Sequence, residues 1–408
     1  MTCREVENSQ LTGSILTLNA GSSSLKFALF STDAADGDEP IATVRGRIED
    51  LRDGSHLRVQ DADGKVVAEQ RWPKGVGQTS EAALDAVLAF VDRRLGREHL
   101  AAVGHRVVHG GGDHIRPARV TPALLAELDA LVPFDPLHMP LNLAPILALA
   151  ALRPSLVQIA CFDTAFHHTL PPVARRVGLP RALEAAGVRR YGFHGLSYEF
   201  IAGCLTQQVP WLARARVIVA HLGSGASLCA LREGRSIATT MGFSTLDGLV
   251  MATRCGSLDP GVLLYLGRQG RSFAEIEDML YRQSGLLGVS GISGDIRELL
   301  ASDDPHAREA IELFSYRVAT ETGALVSALG GVDGLVFTGG IGEHAPAIRA
   351  DICGRLAWLG LRLDSVANCD GLPCISTPDS AVVVRVIATD EEVVIARQTK
   401  SAIALPIA

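Results

Sequence analysis

LTLNAGSSSLKFALF, residues 16–30, sets two apolar runs around Asn19, a glycine and three consecutive serines, with Lys26 on the returning run. A hairpin connection needs only two or three turn residues, so the extra small residues call for another reason. Backbone N–H groups bind phosphate where no bulky side chain keeps it away. Glycine allows that approach, serine adds a hydroxyl donor, and lysine adds a compact charge. Ser22, Ser24 and Lys26 are therefore expected in a phosphate loop. Asn19 places an amide oxygen at its entrance, suited to a metal-bound water or a phosphate. VIVAHLGSGASLCAL, residues 217–231, repeats the pattern, with Gly21 over Gly223 and Ser22 over Ser224. The repeat predicts a gene duplication, with each of two related domains opening on a small-residue hairpin and the two hairpins gripping one polyphosphate across a cleft.

The bulk properties agree with two domains. The chain has 408 residues, 47% hydrophobic and 20% charged, which is globular in composition and long for one core. A formal net charge of −7 argues against a nucleic-acid binder, for which a basic face is expected. The eight cysteines form no C-x-x-C pair and no zinc spacing. They read as thiols of a reducing compartment, several of them in apolar runs. The polar start MTCREVENSQ has no signal-peptide core, and no run approaches the roughly 20 apolar residues of a membrane helix. A soluble, cytoplasmic protein is expected, with no nucleic-acid or membrane partner.

Along the chain, short β-rich runs alternate with helical patterns, which predicts an α/β protein. SEAALDAVLAFVDRRLG reads as a helix capped by Thr79 or Ser80, and Thr121-Pro122 opens another. SFAEIEDMLYRQSG begins with a capping box, Ser-x-x-Glu. DAADGDE and the segment around residue 303 read as exposed loops. RRYGFHGLSYEF reads as a loop, and VFTGGIGEHAPAIR as a strand, a glycine loop and a helix from about Pro346. Such a unit puts a helix N-terminus at a ligand. It is not a Walker A loop, which requires Gly-Lys-Ser/Thr.

Anion-binding residues recur in glycine-rich loops after strands: Arg106 in GHRVVHGGG, Arg254 in MATRCGSLDPG and His194 in RRYGFHG. The planar guanidinium matches carboxylate and phosphate oxygens. Asp163 ends the buried run LVQIACFD, a position that faces a ligand crevice in many α/β proteins. Each of these residues also has a purely structural reading, as salt bridge, packing residue or turn cap.

NAGSSSLKF, GHRVVHGG, FDTAFH, RRYGFHG, HLGSGAS, MGFSTLDGLVMATRCGSLDPG, LLGVSGISGDIREL, TGGIGEH and TDEEVVIAR together resemble the acetokinase family of the actin and sugar-kinase superfamily, in order and over nearly the whole chain. The resemblance implies two duplicated RNase H-like α/β domains, residues 1–163 and 164–391, with a ligand cleft between them and a C-terminal helix at about 392–408 packed on the first. It implies Mg²⁺-dependent (Mn²⁺ in its place) reversible phosphoryl transfer between ATP and acetate, giving acetyl phosphate and ADP, in a homodimer. Carried over by position, Asn19 and Glu391 would hold Mg²⁺, and Ser22, Ser24 and Lys26 would meet nucleotide phosphates. His221, Leu222, Gly223, Ser224 and Gly225 would form the second phosphate loop. Asp295, Ile296 and Arg297, with Gly340, Ile341, Gly342, Glu343 and His344, would surround the nucleotide. Arg106 and Arg254 would bind carboxylate and phosphoryl group, His194 would stabilise the transferring charge, and Asp163 would act as acid/base or positioning group. Val108, Leu137, Phe193 and Thr245 would line the acyl pocket.

The chain departs from the commonest family pattern at Met139, Leu196, Tyr198, Ser224, Thr245, His344 and Asp390. None of these removes a charged catalytic group, but Thr245 and Met139 open the acyl-chain preference. Propionate or butyrate kinase is the second reading, and an actin-type ATP-binding scaffold the third. Retention of Arg106, Asp163, His194 and Arg254 speaks against the scaffold.

Overall fold

The computed structural model describes residues 13–21, 24–32, 39–49, 51, 54–74, 80–97 and 99–404. Ser22, Thr79, the Ser80 side chain and most of the loop DAADGDE lie outside the described residues. The chain divides into two compact units, Met1–Ala165 with Glu391–Ala408, and Phe166–Asp390.

The first unit is built on a mixed sheet. Its strands are β1 (Ser14–Ala20), β2 (Leu25–Ser31), β3 (Ala42–Glu49), β4 (His56–Asp61), β5 (Val66–Arg71), β6 (Leu100–Val107), β7 (Ala118–Arg119) and β8 (Val157–Phe162). Their order is β5-β4-β3-β2-β1-β6-β8-β7. The second unit contributes β9 (Arg216–Leu222), β10 (Ala226–Arg232), β11 (Arg235–Thr239), β12 (Gly334–Thr338) and β13 (Val383–Val386), ordered β11-β10-β9-β12-β13. The repeat seen in the sequence thus extends to topology. The sheets share three antiparallel strands followed by two parallel ones, so β3-β2-β1-β6-β8 matches β11-β10-β9-β12-β13, and in the first unit β4 and β5 extend the antiparallel side. The two small-residue turns close alike, Gly21 N to Ser24 O at 2.8 Å and Gly223 N to Gly225 O at 3.0 Å, the second being one residue shorter.

Burial explains the strand patterns. β1, β10 and β12 are almost wholly buried, whereas β3 and β5 alternate or lie open near the sheet edge. Leu16, Leu18, Phe27, Leu29, Val44 and Val103 pack with Leu84, Val87 and Val91 of the helix Ser80–Leu95. Val217, Val219, Leu231 and Val336 pack with Tyr198, Ile201 and Leu205 in the second unit. The helix Pro122–Asp129 starts as expected, with Thr121 accepting from Leu124 N, and Ser272 with Glu275 forms a complete capping box.

Two local expectations are overturned. GLSYEF is not loop: it begins the helix Gly195–Gln208, entered from His194 in the left-handed region at φ 58° and ψ 25°. GGIGEH is not loop either but a helical turn, Gly339–His344, running into the helix Pro346–Arg355. It closes because Glu343 Oε1 accepts from Gly339 N at 2.8 Å and from Thr389 N at 3.2 Å. Gly339 sits at φ +76°, and a β-carbon there would stand 2.8 Å from Leu222 O, so only glycine fits.

The C-terminal helix Glu391–Ala404 belongs to the first unit and covers β1, β6 and β8. Gly104 permits this: a β-carbon there would lie 2.2 Å from Thr399 Oγ1 and 2.6 Å from Ile395 Cγ2. That close approach delivers Glu391 to the end of β1.

In each unit burial holds down the pKa of a histidine. Burial pushes His105, on β6, down to about 4 against the opposing pull of Gln158, and pushes His167 down to about 4 despite its bond to Phe193 O. With native values below the unfolded 6.5, the unfolded chain binds more protons between these limits, so stability is full above pH 6.5 and falls as pH drops. Between pH 6.5 and 5, before carboxylates titrate, the loss should be about 2 kcal/mol per ring. Urea unfolding of the wild type and of His105→Leu and His167→Leu across that range checks this. Each variant should show a shallower pH slope.

Candidate active site

In the first unit four residues from distant segments converge. Asp163 follows β8 with no exposed surface, its backbone N–H bonded to Val107 O at 3.0 Å. A carboxylate there requires a cation. Arg106, on β6, provides it: its Nε and Nη2 donate to Asp163 Oδ2 at 3.0 and 2.5 Å, and its Nη1 donates to Asn19 Oδ1 at 3.2 Å. Asn19, on β1, donates from Nδ2 to Glu391 Oε2 at 3.0 Å. Burial alone would lower the Arg106 pKa, but the charges of Asp163, Glu391 and Glu392 more than offset it and hold the guanidinium firmly charged. Asn142, which the sequence reading missed, ties the strand ends together by accepting from Val108 N and donating to Ala20 O, both at 2.8 Å. Nothing in MPLNLAP marks this asparagine. Its role follows from a helix, Met139–Leu152, laid against the ends of β1 and β6.

Ser24 closes the first turn and Lys26 stands exposed on β2, opposite Asn19. Val108 is buried and Leu137 half-buried in this unit.

In the second unit His194 and His221 stack, ring centroids 4.3 Å apart at 22°. His194 Nδ1 meets Ser227 Oγ at 2.8 Å, and His221 Nδ1 meets Ser197 Oγ at 2.8 Å. Arg254 donates from Nη1 to Thr245 O at 2.8 Å. A β-carbon on Gly225 would stand 3.2 Å from Arg254 Nη2 and 3.3 Å from His194 Nε2, so the glycine keeps open the space these donors border. Ser224 is exposed at the tip and its carbonyl accepts from Ala252 N at 3.0 Å; Leu222 is buried beneath. Phe193 is 1% exposed, and Thr245 is buried with its Oγ1 bonded to nothing among the described residues.

Asp295 and Arg297 chiefly bind each other, at 2.5 Å, while Asp295 also caps the helix Ile296–Leu300 and Ile296 packs inward. Gly340, Ile341, Gly342, Glu343 and His344 lie in the turn after β12, with Gly340 and His344 at the surface. Among the described residues no group of three or more His, Cys, Asp or Glu could hold a metal.

A sequence profile described as "Acetokinase family" matches residues 14–397. The chain belongs to the acetokinase family. An acetate kinase of Rhodopseudomonas palustris is 54% identical over 390 residues, covering 94% of this chain and 96% of that protein. One from Nitrobacter hamburgensis is 48% identical over 390 residues, covering 95% and 96%. Among solved structures, a propionate kinase from Francisella tularensis superposes with a TM-score of 0.86 at 36% identity, covering 95% of this chain and 98% of that one. The Porphyromonas gingivalis acetate kinase gives 0.81 at 34% identity, covering 96% and 100%. The fold of this acetokinase-family chain is thus the duplicated α/β arrangement of the actin and sugar-kinase superfamily.

Asp163→Asn would leave Arg106 charged beside a neutral amide. Breaking such a pair on one side costs about 3–5 kcal/mol when fully buried, and somewhat less here because Arg106 is 19% exposed. Thermal unfolding should show a clear drop, and Arg106→Met with Asp163→Leu together should recover much of it.

Proposed function

We propose that this acetokinase-family chain is an acetate kinase, transferring a phosphoryl group reversibly between ATP and acetate to give acetyl phosphate and ADP. The observation that carries this is the gathering of Asn19, Arg106, Asp163 and Glu391 from four segments, in a chain 54% identical to an acetate kinase.

A carboxylate substrate is ionised at neutral pH, since carboxyl pKa values lie near 4. It needs no general base. Asp163 is already engaged by two donors of Arg106, so its part is to orient the guanidinium toward an anion. Phosphoryl transfer demands in-line placement and positive charge on the equatorial oxygens. Arg106 in the first unit and Arg254 in the second are the groups for that charge, and the Nε2 edge of His194 beside Arg254 adds a hydrogen-bond donor. The backbone N–H groups of the turn at Gly223–Gly225 suit nucleotide phosphates. Asn19 and Glu391 are in contact through Asn19 Nδ2, and the Asn19 Oδ1 and Glu391 carboxylate oxygens are hard donors; they fit Mg²⁺, or Mn²⁺, with water and phosphate completing the shell. The ion would neutralise charge on the transferred group. Lys26, Ser24 and Ser22 (the last outside the described residues), together with Asp295, Ile296, Arg297 and Gly340–His344, are assigned to the nucleotide. With ATP as substrate the cytoplasm is the implied compartment; among the described residues no helix is long and apolar enough to cross a membrane.

Propionate is the second reading. The propionate kinase structure at TM-score 0.86 favours it. Thr245, which departs from the family pattern, is assigned with Val108, Leu137 and Phe193 to the acyl pocket. One methylene changes such a pocket's discrimination by only about 1–3 kcal/mol. Trapping acyl phosphate as hydroxamate, from ATP, Mg²⁺ and either acetate, propionate or butyrate, ranks the acids. Arg106→Ala and Arg254→Ala should each lower turnover about 10³- to 10⁵-fold. Absence of product from every acid would overturn the kinase reading.

The chain is also proposed to form a homodimer. The helix Pro260–Arg268 has no buried residue, and Leu264, Tyr265 and Phe273 expose 62%, 59% and 94% of their surface. An apolar helix so placed needs a partner, and a second copy is the simplest. Light scattering should give twice the 43.2 kDa chain mass, and Leu264→Asp with Tyr265→Asp should give the monomer.

A further inference from the structure

Two hydroxyl chains lie behind the stacked histidines, all within the second unit. Ser227 Oγ contacts His194 Nδ1 at 2.8 Å and the Tyr198 hydroxyl at 2.5 Å. Ser197 Oγ contacts His221 Nδ1 at 2.8 Å and receives the Thr389 hydroxyl at 2.9 Å. Ser197, Tyr198 and Ser227 have no exposed surface. Ser227 is the one hydrogen-bond partner of the Tyr198 hydroxyl among the described residues.

Counting hydrogens sets the direction of each chain. If Ser227 donated to Tyr198, the phenol hydrogen would be buried with no acceptor. If His194 donated from Nδ1, the serine hydrogen would be stranded instead. Only one arrangement strands nothing: Tyr198 O–H donates to Ser227, Ser227 O–H donates to His194 Nδ1, and the ring proton sits on Nε2. In the second chain Thr389 donates to Ser197, so the buried Ser197 hydrogen has His221 Nδ1 as its acceptor. Burial raises the Tyr198 pKa well above its ordinary value, so the phenol remains a donor throughout the working range. Tyr198 is itself fixed by ring contacts with Phe166 and His167.

The Nε2 edges look onto the glycine turn. A β-carbon on Gly225 would lie 3.3 Å from His194 Nε2, and one on Gly223 would lie 4.0 Å from His221 Nε2. Two imidazolium rings stacked at 4.3 Å would repel, whereas two neutral rings do not.

We infer that Tyr198 with Ser227, and Thr389 with Ser197, are positioning residues that hold His194 and His221 as Nε2–H tautomers, so that the stacked pair offers two neutral N–H donors side by side to one anion at the Gly223–Gly225 turn. The proposed function identifies that anion as a phosphate or the transferring phosphoryl group, and the inference rests on that reading for this point alone. Fixed N–H donors aimed at developing charge stabilise it without reorganisation. Being neutral, they bind the anion without having first to take up a proton.

Long-range ¹H–¹⁵N spectra of the full chain labelled at histidine test the tautomers directly, with His194→Asn and His221→Asn assigning the two rings. Both rings are expected to carry the proton on Nε2 and a bare Nδ1 at neutral pH; Nδ1–H at either ring overturns its relay. In Ser227→Ala, His194 should become a mixture of tautomers while His221 keeps Nε2–H. In the hydroxamate assay kcat should fall about 10- to 100-fold, by analogy with the outer hydrogen-bond partners of metal-bound histidines, with KM for ATP and the acid unchanged. An unaltered tautomer with unaltered kcat overturns the role of Ser227. Tyr198→Phe keeps the ring packing and frees the serine hydroxyl; it should lower kcat severalfold at constant KM, and wild-type kcat there overturns the role of Tyr198. If the wild type phosphorylates no acid, the kinase reading fails, yet the spectra still decide the relays.

Discussion

An ionised carboxylate with no exposed surface is costly unless a cation pairs with it, and Asp163 is such a carboxylate, paired with Arg106. Its demand orders the first unit's site. Arg106 answers with Nε and Nη2, which leaves Nη1 for Asn19, whose amide in turn reaches Glu391. Each bond constrains the next, so four side chains from β1, β6, the end of β8 and the C-terminal helix share one orientation. The arrangement requires that helix to lie close on the sheet. Gly104 makes the room, since any side chain there would meet Thr399 and Ile395. A glycine in mid-strand, otherwise a weakness, is what brings Glu391 to Asn19.

The second unit repeats the sheet pattern with a different set of side chains. Its hairpin turn is shorter and glycine-lined, and the second strand residue after the turn, Ser227, faces His221 across the ladder. That register puts Ser227 behind His194, whose left-handed backbone at φ 58° starts a helix without a side-chain cap. A non-glycine residue in that region carries strain, which the surrounding stacking and hydrogen bonding must hold. The strain lies at the residue whose Nε2 edge borders the glycine turn.

Much of this was legible beforehand. The strand sequence of both halves, the capping box at Ser272 and the duplicated hairpins follow from alternation, cap residues and small-residue turns. Arg106 and Asp163 could be picked out as candidates, as an arginine beside glycines and an aspartate ending a buried strand, but that they bind each other was not legible. The glycine segments near residues 195 and 340 were misread as loops. Glycine suggests a turn locally, whereas here Glu343 and the left-handed His194 close helical turns through contacts to distant residues. Asn142, Ser197, Ser227 and Thr389 gave no signal, since a lone small polar residue in an apolar run has the same local appearance whether or not it holds a partner.

The sequence by itself determined the fold type, the duplication, the small-residue turns and the positions of the ionic residues, because periodicity, chain flexibility and charge are local properties. The tertiary structure decided which of these groups act together. Arg106 reaches Asp163 across 57 positions and Asn19 reaches Glu391 across 372. The hydroxyl relays behind His194 and His221 likewise exist only in the packed unit. Hydrogen-bond direction depends on every neighbour a buried proton can find, and those neighbours are supplied by strand register and helix packing rather than by adjacency in the chain.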